Sequence, residues 1–133
     1  MTMATGRGSV DVPLYRLAQA RSGDKNDTSD ITVFFPNAEL FRLCDEQLSA
    51  DAVRAFLAPL VLGSVDRYVI PNLFAYKFVC HAALGGGGSS SLRSDNLGKS
   101  MASALLRMAV RNVPAGLAES SPLFAGPPKK DVA

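Results

Sequence analysis

Apolar positions between residues 12 and 110 recur at two spacings, two residues and four, and the switches between them divide the chain into elements. "VPLYRLAQA" (12–20) is β-branched and aromatic and runs into a Gly/Asp/Asn cluster, which predicts a first strand. "DITVFF" (30–35) predicts a second, stopped by Pro36. From Asn37, which reads as an N-cap, Leu40, Cys44 and Leu48 fall four residues apart on one helix face. Ser49 reads as a fresh N-cap before the stripe Val53, Phe56, Leu57 and Leu60, so the spacing predicts two short helices with a break near Ser49. "SVDRYVI" (64–70) predicts a third strand and "LFAYKFVCHAAL" (73–84) a long fourth, with Pro71 and Asn72 between them. Period two puts Phe74, Tyr76, Phe78, Cys80, Ala82 and Leu84 on one face of that strand. Lys77 and His81 share the other with Leu73, Ala75, Val79 and Ala83. The last helix carries the stripe Leu97, Met101, Ala104, Leu105 and Met108, with Ser94 or Asp95 as its cap.

The order strand, strand, helix pair, strand, strand, helix predicts an α+β sandwich of the ferredoxin-like kind. One four-stranded sheet, antiparallel or mixed, would carry helices on one face, in a permuted or modified version of that fold. The aromatic face of the fourth strand would then be buried, leaving Lys77 and His81 on the open side. At 133 residues the chain has the length of one domain. Gly, Ser and Thr dominate the start, and Pro114, Pro122, Pro127 and Pro128 crowd the end. The predicted organisation is a domain over 12–113 between flexible tails, 1–11 and 114–133.

Charge narrows the function classes. Fourteen basic and twelve acidic side chains leave a formal charge of +2, and the basic residues are scattered apart from Lys129 and Lys130. No field strong enough to hold nucleic acid follows, and the open sheet face lacks the aromatic pattern and basic stripe of an RNA-binding domain. No apolar run is long enough to span a bilayer, and the start has no apolar core of a secretory signal. A cytoplasmic protein without membrane contact is expected, with Arg7 leaving a short organelle-targeting leader open. Cys44 and Cys80 fit neither a CxxC motif nor a zinc spacing and read as buried thiols.

Two stretches could carry chemistry. Residues 20–31, "ARSGDKNDTSDI", place Arg21, Ser22, Gly23, Asp24, Lys25, Asp27, Thr28 and Ser29 in nine positions. Glycine admits a close ligand, lysine and arginine supply cations, and successive backbone N–H groups can cradle an anion. The same residues suit a tight turn, because their side chains cap their own backbone. Gly85, Gly86, Gly87 and Gly88 follow the fourth strand, where a ligand or another backbone could approach, or where a hairpin tip could turn. Walker A, GxGxxG and GxSxG spacings are all missing. Asp24, Asp27 and Asp30 lack the glycine and distal glutamate of a calcium loop, so neither a metal nor a cofactor is assigned. Asp24 and His81, the only histidine, are the candidates for moving a proton.

Taken in order, "LAQARSGDKNDTSDI" and "NLFAYKFVCHAALGGGGSSSLRSDNLGK" resemble the AtuA-like ferredoxin-fold domain over roughly residues 12–110. That domain forms the C-terminal part of acyclic terpene utilisation proteins and also occurs as a short separate chain. Ala20 to Lys25 and Asp27 to Ser29 match its first motif; Gly85 to Gly88, Ser91, Leu92, Arg93, Asp95, Gly98 and Lys99 match its second. Asn26 stands where the family usually has glycine, Asp30 where asparagine is common, and Ser94 where an apolar residue is usual. The resemblance implies an accessory or interaction domain in acyclic terpenoid and acyl-CoA catabolism, paired with itself or with a larger AtuA-type subunit. The rival reading is a small enzyme or binding domain for a CoA thioester or other anionic metabolite, with Arg21, Lys25 and Arg93 holding charge.

Overall fold

The computed structural model describes residues 8–25, 28–58, 60–83 and 101–124. Two hairpins build its main sheet. β2 (Gln19–Lys25) pairs antiparallel with β3 (Thr28–Phe34), and β4 (Val65–Ile70) with β5 (Ala75–Cys80). β3 and β5 then join antiparallel at the centre, giving the order β2-β3-β5-β4. The expected four-stranded sheet is therefore antiparallel throughout.

Between the hairpins lie α1 (Ala38–Leu43) and α2 (Ala50–Leu57), and both predicted caps are present. The Asn37 side chain accepts from the Leu40 N–H at 2.9 Å, and the Ser49 hydroxyl from the Ala52 N–H at 3.0 Å. Each cap satisfies a helix-end donor that has no partner within its own helix. Helix α3 is described over 101–106, and Met101, Ala102 and Leu105 are buried. The cap and first turn expected for it, Ser94, Asp95 and Leu97, lie outside the described residues.

Alternation along β3 and β5 sorts the sheet into two faces. Ile31, Val33, Tyr76, Phe78 and Cys80 are buried, and with Leu40, Cys44, Leu48, Val53, Leu57, Met101 and Leu105 they form one hydrophobic core. Tyr76 anchors it. Its ring stacks on Phe41 at 4.7 Å between centroids, the Arg67 guanidinium lies 4.9 Å from its centre, and its hydroxyl donates to the Phe41 carbonyl. Arg67 also pairs with Asp45 at 2.9 Å, tying edge strand β4 to the turn after α1.

Three expectations change. The single strand expected over 12–20 is the end of β1 (Ser9–Pro13), a 3-10 turn over Leu14–Arg16 and the start of β2. Pro13 has no N–H to donate, and its extended backbone leads into that turn. The fourth strand is shorter than 73–84. Pro71–Leu73 form a 3-10 turn closed by left-handed Phe74 (φ 52°), and after Cys80 the chain turns through Ala82 (φ 51°). The third change is at the C-terminal end, where the composition predicts a tail from residue 114. Ala109–Pro114 is strand β6, paired with β1 in a second, two-stranded sheet, and Ala115–Glu119 is helix α4. Val110, Val113 and Ala118 are buried in the same core as Val12, Leu14 and Leu17. Regular structure thus continues through the first part of that stretch, up to the turn ending at Phe124.

Candidate functional site

The polar run from 20 to 31 is mostly strand. Arg21 pairs with Thr32, Ser22 with Ile31, Gly23 with Asp30, Asp24 with Ser29 and Lys25 with Thr28, so the ladder runs through all of the described residues from 21 to 32. A turn-rich composition therefore occupies an edge hairpin, whose outer strand tolerates polar residues because one of its sides faces solvent.

Pairing splits the candidate residues between the two faces. Ser29 lies on the inner face beside Cys80; it is fully buried, and its hydroxyl donates to the Gly23 carbonyl at 3.2 Å. It is a structural residue of the hairpin. Ser22, half-buried, shares the inner face with Ile31. Arg21, Gly23 and Thr28 lie on the open face with Asp30, Thr32 and Phe34. Asp27, Gly85, Gly86, Gly87, Gly88 and Arg93 lie outside the described residues.

Gly23 has an extended backbone, and a methyl group there would meet only the Asp30 carboxylate at an ordinary 3.4 Å. Folding does not demand a glycine at this position. Its effect is a gap in the open face between Arg21 and Asp30.

His81 follows β5, and its Nε2 lies 2.9 Å from Asp66 Oδ2 on β4. Because a carboxylate can only accept, the imidazole N–H is the donor. Arg21 is on the opposite edge strand, two strand steps or roughly 10 Å from β5 and three steps from β4. Among the described residues the side-chain partner of His81 is thus Asp66, while Ser29 of the first motif lies on the neighbouring strand opposite Cys80.

One end of the sheet gathers more. Ser29 is opposite both Asp24 and Cys80, so β5 ends beside the hairpin of the first motif. The chain then turns back, with His81 N–H bonded to the Ser64 carbonyl and Ala83 bridged to Val61. Ala83 is two residues before the glycine run in the sequence.

Sequence reasoning did not find the groove beside β2. Its volume is about 400 Å³, and Tyr15, Gln19, Arg21, Phe34, Leu106 and Leu123 line it. These residues come from five separate parts of the chain, so no local pattern could have signalled it. Arg21 is the one cation in this lining.

The thiols are inert by position. Burial pushes Cys44 from 9.0 up to about 12, and burial followed by the Asp30 charge pushes Cys80 up to about 11. Neither is available as a thiolate nucleophile near neutral pH. Among the described residues, no group of three or more His, Cys, Asp or Glu side chains could hold a metal ion, and no helix is long and apolar enough to cross a membrane.

A family model for the AtuA ferredoxin-like domain matches residues 12–111, three quarters of the chain. The chain belongs to the AtuA ferredoxin-like domain family. The match begins in β1 and ends within β6. The four-stranded antiparallel sheet with its helices is consistent with a ferredoxin-like fold. No curated protein and no solved structure matches the chain.

Proposed function

We propose that this AtuA ferredoxin-like domain is an accessory domain that works with a larger AtuA-type subunit in the breakdown of acyclic terpenoids through acyl-CoA thioesters. In this reading it contributes its two motif segments to a shared site. One observation carries it: the pairing of Ser29 with both Asp24 and Cys80, which ends β5, the strand that leads towards the glycine run, beside the first motif's hairpin. The first motif's hairpin and the end of the strand that precedes the second motif in sequence then share one end of the sheet, which suits loops that act together on a partner. The test is co-purification from native extract with the tagged full chain. Recovery of an AtuA-type subunit, lost when Asp24 and Lys25 are both replaced by alanine, is the expected result. A chain that recovers no such subunit overturns the reading.

The groove beside β2 favours a second reading, a binding domain for an anionic metabolite such as a CoA thioester. Apolar walls with a single exposed cation suit a molecule with one apolar and one negative end. Calorimetry with acyl-CoAs of increasing chain length tests it. Binding that strengthens with chain length and weakens about tenfold in Arg21→Ala supports it, and heats unchanged by that substitution exclude the groove.

A further inference from the structure

The open face of the main sheet has its charges sorted into rows. Register aligns Arg21, Thr32, Lys77 and Tyr68 in one row across the four strands. The next row, one pleat repeat along, is Gly23, Asp30, Val79 and Asp66. The first row holds two cations and no anion; the second holds two anions and no cation. Among the described residues the side chains of Arg21, Lys77 and Asp30 make no hydrogen bond or ion pair, and the Asp66 carboxylate pairs only with His81. Apolar surface accompanies the charges: Tyr68 is 53% exposed, and Phe34 and Val79 are half-buried on the same face.

We infer that this face binds a second copy of the chain. A two-fold axis lying in the face, across the strands and midway between the two rows, sets each row against the other row of its partner. Arg21 and Lys77 of each copy then oppose the carboxylate row of the other, and both sets of contacts form at once because the interface is isologous. The Gly23 gap fits this arrangement. The axis places Arg21 of one copy over Gly23 of the other, where the missing side chain leaves the guanidinium a path to Asp30. The charges of the two rows sum to zero, so the paired face carries no net repulsion, whereas a partner of one sign would meet an opposing row of its own charge. The inference rests on the interaction-domain reading of this chain and names the partner.

Sedimentation of the full chain tests it together with zero-length carbodiimide coupling of a mixture of ¹⁴N- and ¹⁵N-labelled protein. The expected result is a two-chain mass, with Lys77 of one isotope joined to Asp30 or Asp66 of the other. Arg21→Glu with Lys77→Glu, and separately Asp30→Lys with Asp66→Lys, should each give single chains. Mixing the two variants in equal amounts should restore the two-chain mass. A wild-type chain that sediments alone up to hundreds of micromolar overturns the inference, as does full self-association of either variant by itself. If a variant fails to fold, the wild-type coupling decides: mixed-isotope links at Lys77 support the inference, and their absence overturns it. A single chain that still recovers the AtuA-type subunit would refute the second copy and leave the accessory reading intact. A dimer that recovers none would do the reverse.

Discussion

Two glycines show how differently the same residue can be constrained. A methyl group at Gly63 would sit 2.6 Å from the His81 carbonyl oxygen, where backbone from the facing segment cannot move aside without breaking its own bonds. Gly63→Ala should cost about 1–3 kcal/mol, the usual range for overpacking, read as a lower urea midpoint with an unchanged slope. Gly23→Ala should leave stability unchanged or raise it by up to about 1 kcal/mol, because alanine is the better strand residue and nothing obstructs it. Sequence alone singled out the second glycine and passed over the first. Gly23 belongs to a motif, whereas the need at Gly63 comes from a carbonyl eighteen positions away that becomes a neighbour only after β4 and β5 pair.

The helices were legible because their signals are local. Asn37 and Ser49 each lie three residues before the N–H that their side chains accept, so cap, donor and spacing can all be read in one short window. Asn37→Ala and Ser49→Ala should each cost about 1 kcal/mol in urea unfolding, and about the sum when combined, since the caps serve separate helices. The hairpin of β2 and β3 was less legible. Residues 21–25 contain a glycine and two adjacent charges, a composition that favours a turn, and they become strand because β3 supplies a full ladder of partners. The polar side chains that obscured the strand are accommodated by its place at the sheet edge.

At the scale of the molecule, the buried acids predict how stability depends on pH. Cys44, Cys80 and Tyr76 are neutral in the fold, with Cys44 raised to about 12, Cys80 to about 11, and Tyr76 to about 12 through burial and then the Asp45 charge. Each folded value lies above its ordinary value of 9.0 for the thiols and 10.0 for the tyrosine. The unfolded chain therefore ionises first as pH rises, and its lower proton content favours unfolding. Stability from these groups should be complete below pH 9.0 and fall through the window up to 11 and then 12. Urea midpoints should hold level from pH 7 to 8.5 and drop by pH 10.5, with a shallower drop in Cys80→Ala relative to its own neutral value. A thiol reagent at pH 7.5 should label neither cysteine in the fold and both in urea, since both are buried and free.

The second sheet is a property of the whole chain. Val10 pairs with Val113 and Val12 with Val110, and a bulge between Val10 and Val12 meets left-handed Asn112, whose N–H donates to the Asp11 carboxylate at 3.1 Å. Gln47 completes the attachment, exchanging bonds of 2.7 and 2.8 Å with the Arg111 backbone as a further strand would. Truncation after Met108 should abolish cooperative unfolding, because it removes the partner of β1 and the buried Val110, Val113 and Ala118. A shortened chain with a sharp urea transition near that of the full chain would show that the ribbon is dispensable.

By itself the sequence determined whatever a window of a few residues can encode: the caps of α1 and α2, the alternation that buries Tyr76 and Phe78, and the motif order that marks an AtuA ferredoxin-like domain. Tertiary structure alone decided the rest. It set the order β2-β3-β5-β4, drew residues 109–119 into a strand and a helix, and brought Arg21 and Lys77 into one row beside Asp30 and Asp66. The physical reason is that strand pairing has no fixed separation in sequence. Each strand presents the same backbone donors and acceptors, so the choice of partner rests on the core that all the elements bury together.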